Sequence, residues 1–181
     1  MSRYIALLRA INVGGRVVKM DALAKHFQSL KLTHVETFIA SGNVIFTSDA
    51  TELELVPRIE AHLKKKLGFD VPTLLRTDTE LAAVSRYQSF TAGEVETAHA
   101  LYVGFFADLL ARDAVKALRG TSDEGDLFHA RGRELYWLRA TGMAESKFSS
   151  AGFEKALGAT TTFRNITTVR KLSEKYPATG P

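Results

Sequence analysis

The stretch VETFIASGNVIFTS, residues 35–48, sets two β-rich runs on either side of Ser41-Gly42-Asn43. A short Gly/Asn connection between such runs signals a hairpin, so two antiparallel strands are expected here. Upstream, the apolar run YIALLR, residues 4–9, reads as a buried strand, and Leu23, Phe27 and Leu30 recur at helical spacing over residues 21–30. Downstream, Thr51 and Glu54 form a T-x-x-E capping box. Leu55, Ile59, Leu63 and Leu67 then mark one apolar helix face, which Gly68 ends. VPTLLR, residues 71–76, closes the series as a strand weakened at its start by Pro72. Read outward from the hairpin, the first part of the chain is βαββαβ.

The same order recurs. A second capping box, Thr77 with Glu80, starts a short linking helix, and the polar stretch around residues 89–97 reads as a boundary. Residues 100–106 read as a strand and 110–118 as a helix ended by Gly120. DLFHARGRELYWLRA supplies two strands around Arg131-Gly132. Ser149 or Ser150 caps a helix through Leu157, residues 160–163 form a short strand, and Asn165 caps a last helix that stops before Pro177. The expected class is α+β: two tandem ferredoxin-like (βαββαβ) subdomains with antiparallel sheets and an extra C-terminal helix. The expected boundaries are 1–77, a linking helix and loop over 78–98, and 99–181.

Composition narrows the function classes. The 181 residues are 45% hydrophobic and 24% charged, enough for a real core, and no window is long and apolar enough to cross a membrane. With no cysteine there are no disulfides and no thiolate chemistry or metal sites. No small-residue cleavage pattern follows the first apolar run, so a cytoplasmic setting is expected. Charge is uneven. Residues 1–19 carry four Lys/Arg and no acid, and residues 131–181 carry nine Lys/Arg against four Asp/Glu. The middle, 20–130, has eleven against sixteen. Positive ends suit an anionic partner if they meet in space, and ordinary surface solubility otherwise.

In a βαββαβ unit the loop after the first strand and the hairpin turn lie at one sheet edge, so INVGG (residues 11–15) and SGN (41–43) are expected to converge, with Arg9 and Asn43 ending neighbouring strands. Gly14 and Gly15 permit conformations that expose N–H groups as an anion nest, and the next helix N-terminus adds partial positive charge. Arg9, Arg16 and Lys19 would complete it. The loop matches neither G-x-x-x-x-G-K-[ST] nor G-x-G-x-x-G, which disfavours a standard nucleotide fold; glycine pairs also serve wherever a chain turns sharply. A second anion site is conceivable where Arg164 and Asn165 lead into the last helix, with plain N-capping as the architectural alternative.

Two other classes compete. LYVGFF, residues 101–106, resembles the first-strand consensus of the RNA recognition motif, which would make Tyr102 a stacking platform for single-stranded RNA. The partner strand RGRELYWL lacks the matching consensus and offers only Tyr136 and Trp137. The other class is an enzyme acting on a phosphorylated substrate. No H-x-H or H-E-x-x-H spacing joins His26, His34, His62, His99 and His129, and no G-x-S-x-G elbow is present. Asp123, Glu124 and Asp126 read as a solvated turn, so no metal site is expected and no cofactor is identified.

LLRAINVGG, the following Lys19-Met20, TFIASGNVIF and ALGATTTFRNITTVRKL together resemble the bacterial family called domain of unknown function 1697, in order and across nearly the whole chain. The resemblance implies two tandem ferredoxin-like subdomains and no assigned activity. The family pattern has Gly where this chain has Ala10 and Gln where it has Ala40, so any hydrogen bond from that Gln is missing here. The matching positions carried over as the candidate ligand site are Arg9, Asn12, Gly14, Gly15, Ser41, Gly42 and Asn43, with Ser146, Lys147, Arg164 and Asn165 from the C-terminal motif, and Lys19 joins them by its charge. The expected partner is a small anionic or nucleotide-like ligand, with nucleic acid as the alternative, no membrane, and an open oligomeric state.

Overall fold

The first strand, β1 (Ser2–Leu8), is buried without a break from Tyr4 to Leu8. Its even positions Tyr4, Ala6 and Leu8 join a core with Leu23, Phe27, Leu55, Ile59 and Leu63, while Ile5 and Leu7 on the opposite face are also fully buried. A strand covered on both faces reads as a continuous apolar run instead of an alternation, which is what YIALL shows. The computed structural model describes residues 1–40, 42–111, 113–118, 125–141 and 150–179.

After β1 come α1 (Met20–Gln28), β2 (Thr33–Phe38), β3 (Asn43–Ser48), α2 (Glu52–Leu67), β4 (Thr73–Thr77) and α3 (Asp78–Arg86). The sheet runs β2-β3-β1-β4 with every neighbouring pair antiparallel. Leu7 faces Asn43 across β1 and β3, and Leu8 faces Thr73 across β1 and β4. Local chemistry accounts for the helix ends. Thr51 and Glu54 make a reciprocal capping box, with Thr51 N–H donating to Glu54 Oε2 at 2.8 Å, and Gly68 ends α2 at φ +81°. The Thr77/Glu80 box likewise starts α3, at 2.8 Å and 3.1 Å.

α1 and α2 bring His26 and His62 together, ring centroids 5.7 Å apart. Partial burial, then the charge of His26, Lys66 and Lys65, holds His62 below its ordinary 6.5. Because the folded state resists protonating His62, the associated stability is complete above that ordinary value and is lost as the pH falls through the lower folded value. Acidifying from about pH 8 to about pH 5.5 is therefore expected to lower the melting temperature, and His62→Gln to reduce the drop. Thermal melts at the two pH values check this.

Past α3 the chain continues with α4 (Ala92–Thr97), β5 (Ala100–Phe105), α5 (Ala114–Ala117), β6 (Leu127–Arg131), β7 (Glu134–Arg139), α6 (Ser150–Leu157), β8 (Thr162–Asn165) and α7 (Ile166–Lys175). The second sheet is ordered β6-β7-β5-β8, again antiparallel throughout. On one face Phe106, Leu118, Leu135, Trp137 and Phe153 form its core, with Tyr102, Phe128 and Phe163 packed against it. The mixed α+β class with two four-stranded antiparallel sheets thus stands. The chain divides into two units, Met1–Ala83 with Leu172–Pro181, and Val84–Lys171. Among the described residues, no helix is long and apolar enough to cross a membrane.

Three sequence expectations need correction. The helix expected over 110–118 is the single turn α5, and the strand expected over 160–163 is shifted to Thr162–Asn165. The stretch 89–97 holds α4, started by a third capping box in which Thr91 N–H donates to Glu94 Oε2 at 2.7 Å. That T-x-x-E was legible by the rule used at Thr51 and Thr77, and its polar surroundings masked it.

Candidate functional site

The loop after β1 and the β2–β3 hairpin meet through Asn12. Its Nδ2 donates to Ala40 O at 2.9 Å and to Val18 O at 3.3 Å, and its Oδ1 accepts from Val18 N at 2.6 Å. One amide therefore closes the loop on itself and ties it to the hairpin. Asn12→Ala would leave three backbone groups without this partner, and a destabilisation of about 1–3 kcal/mol is expected by urea denaturation. Asn12→Asp keeps the acceptor for Val18 N–H but sets a carboxylate oxygen against the Val18 and Ala40 carbonyls, so it should also destabilise.

The glycines divide into two kinds. Gly14 and Gly15 have φ of +62° and +82°, and Arg16 N–H donates to Val13 O at 3.2 Å, so they are the central pair of a turn with positive φ at both positions. A Cβ on either would meet nothing within 4 Å. The turn needs their backbone, not their lack of bulk, and their edge faces solvent. Gly42, at φ +78°, is different: a Cβ there would lie 2.4 Å from Ile11 Cγ2. Its carbonyl accepts from Leu8 N at 2.9 Å, closing the hairpin onto β1.

The polar members follow suit. Asn43 is fully buried and its Nδ2 donates to Phe38 O at 3.0 Å, so it braces the hairpin from inside. Arg9 is half-buried, with its N–H bonded to Pro72 O at 2.9 Å. Lys19, the N-cap residue of α1, is exposed and makes no side-chain capping bond. Arg16 lies over the Phe69 ring at 4.3 Å from its centroid. Topology thus brings Arg9, Asn12, Gly14, Gly15, Lys19, Gly42 and Asn43 to one edge. Asn12 and Asn43 spend amide groups on holding it together, and Lys19 stays exposed. Ser41 lies outside the described residues.

A family model described as a protein of unknown function, DUF1697, matches residues 1–136. The chain belongs to the DUF1697 family. None of the curated proteins matches it. Among solved structures, a conserved bacterial protein from Streptococcus pneumoniae is similar at TM-score 0.69 and 24% identity, covering 96% of this chain and 97% of its own. That likeness concerns the fold. The family match takes in the loop and hairpin just described and stops before the C-terminal motif.

In this DUF1697 chain the C-terminal motif is built inward. Arg164 is buried in β8, its Nη1 donating to Thr162 Oγ1 at 2.8 Å and to Phe163 O at 2.9 Å; burial lowers its pKa to about 10. Asn165 Oδ1 accepts from Thr167 N at 2.9 Å, which is ordinary N-capping of α7. Arg164 and Asn165 thus both hydrogen-bond within the fold. Ser146 and Lys147, like Asp123 and Glu124, lie outside the described residues.

The register of β5 lends the RNA reading no support. Tyr102 pairs with Trp137 across β5 and β7, their ring centroids 5.6 Å apart, and it packs on the same face as Trp137 against the core that includes Phe153 of α6. On the opposite face Leu101, Val103, Phe105 and Tyr136 are buried as well. Aromatic platforms for bases stand open to solvent, whereas Tyr102 is only partly exposed and its ring packs against Trp137. Among the described residues no group of acids and histidines is placed to hold a metal ion.

Two features of the DUF1697 chain had no sequence signal. Tyr87 Oη and His129 Nε2 are 2.8 Å apart, with the Arg131 guanidinium 4.0 Å above the Tyr87 ring. The same Tyr87 borders a cleft of about 660 Å³ whose wall includes Arg86, Phe90, Leu101 and Arg170. Its lining comes from residues 85–101, joined by Arg170 from far along the chain.

Proposed function

We propose that this DUF1697 protein is a cytoplasmic pair of tandem ferredoxin-like subdomains whose first subdomain binds a small anionic or nucleotide-like ligand at the edge formed by residues 11–15 and 41–43. The strand order β2-β3-β1-β4, with a helix after β1 and another after β3, supports the ferredoxin-like reading, and β6-β7-β5-β8 supports its repetition. The observation that carries the ligand site is the Asn12 tie between loop and hairpin. It preassembles the edge before any ligand arrives, so binding spends little on ordering the loop. The exposed Gly14–Gly15 backbone and the Lys19 ammonium then supply donors and charge suited to an oxyanion.

The test is a thermal-shift series with nucleotides and sugar phosphates. A ligand selective for the native state raises the melting temperature by mass action, about 2.7 kcal/mol at one hundred times its dissociation constant. Lys19→Ala should leave the ligand-free melting temperature unchanged and weaken the ligand by about tenfold. Full retention of the shift in that variant would remove this edge as the site.

A further inference from the structure

Arg139, the last residue of β7, is fully buried, and among the described residues Nε, Nη1 and Nη2 all lack a hydrogen-bond partner. Guanidinium groups bring five donors and a charge that nothing near neutral pH removes, so an unpaired one in the interior is costly. The nearest acid in sequence register does not serve it. Asp126 Oδ2 accepts from Trp137 Nε1 and Oδ1 from Ala140 N, both at 2.9 Å, and among the described residues no carboxylate pairs with Arg139. Partial compensation comes from two rings: the Arg139 Cζ lies 5.0 Å from the Trp137 centroid and 5.9 Å from that of Tyr102. Rings above a guanidinium offset its charge but leave the N–H donors at its edge unused.

We infer that Arg139 is the anchor of an oxyanion site in the second unit, binding a carboxylate or phosphate group through the edge of its guanidinium. Arg139 pairs with Ala100, the first residue of β5, and is followed by the exposed Ala140, so the strand reaches solvent one residue past the buried guanidinium. A planar two-oxygen face matches the guanidinium fork, and either oxyanion presents one. The site is separate from the edge at residues 11–15 and does not depend on it.

Trp137 is the single tryptophan of the chain, so its fluorescence reports directly on the guanidinium beside it. Titrating the full chain with sodium phosphate and, separately, with sodium acetate at constant ionic strength should give a saturable change with at least one of them. A response to phosphate alone identifies a phosphate-bearing ligand, and one to acetate alone a carboxylate. In Arg139→Met the response should fall by at least about tenfold in affinity. The same variant should melt in chloride at or above the wild-type temperature, because an unpaired buried charge has been replaced by an apolar stem. Lys19→Ala should leave the fluorescence response intact, which separates this site from the one proposed above. No saturable response to either anion in the wild type, or an unchanged response in Arg139→Met, overturns the inference. So does a fall of several degrees for Arg139→Met in chloride, because the rings would then already hold the cation.

Discussion

Gly42→Ala is expected to destabilise the first unit by about 2–5 kcal/mol, combining the cost of a non-glycine residue at positive φ with overpacking against a filled interior. The added methyl would lie 2.4 Å from Ile11 Cγ2 and 3.3 Å from Leu8 Cβ. Ile11 and Leu8 are 2% and 1% exposed, so neither moves aside without disturbing the core. Glycines of the neighbouring turn supply the control. Gly14→Ala and Gly15→Ala meet no atom within 4 Å and should cost only the backbone term, about 1–2 kcal/mol. Adding Ile11→Ala to Gly42→Ala removes the methyl that is struck, so the double variant should be less destabilised than the sum of its parts. Calorimetric melts of the five variants, Ile11→Ala alone included, check the ranking. Equal costs at 14, 15 and 42 would show that conformation alone, not the Ile11 contact, demands glycine.

Trp137→Ala is expected to cost about 3–5 kcal/mol. The indole has ring neighbours on several sides: Phe153 at 5.3 Å, Tyr102 at 5.6 Å, Phe163 at 5.7 Å and Phe128 at 6.1 Å between centroids. Its removal empties the centre of that cluster and takes away the Nε1 donor to Asp126. Trp137→Phe separates the two losses, because most of the ring volume stays while the donor goes, and about 1–3 kcal/mol is expected. Urea denaturation followed by far-ultraviolet circular dichroism measures both without needing the lost fluorophore. The close fit has a second signature at Gly104, where a Cβ would lie 2.7 Å from Phe163 Cε1, so the ring that packs on Trp137 also covers a glycine of β5.

The elements most legible in the sequence are those whose determinants are neighbours along the chain. T-x-x-E at Thr51, Thr77 and Thr91 places three helix starts within a few residues, and Gly68 ends one at φ +81°. Non-glycine residues at positive φ, Ala10, Lys31, His34 and Ile39, carried no such mark, and a register shift between Thr33 and Glu36 in β2 had no sequence cue. The candidate edge was half legible. Convergence of its two loops followed from element order, but the use of the Asn12 amide for Val18 and Ala40 did not. Arg139 and Arg164 show the same limit, since charged residues are ordinarily solvated and both are buried here.

By itself the sequence determined most element types and the family, because hydrophobic period, capping and turn residues act over a few positions and repeat the same local physics wherever they occur. Tertiary structure alone decided which polar groups are spent and which faces are covered. Asn12 reaches Ala40 across 28 residues, and Tyr176 donates to Glu36 at 2.7 Å across 140. Whether Tyr102 faces solvent or the core depends on the register of β5 against β7 and on the helix packed over them. Such contacts join residues with no local relation, so their energies enter only once the chain has closed on itself.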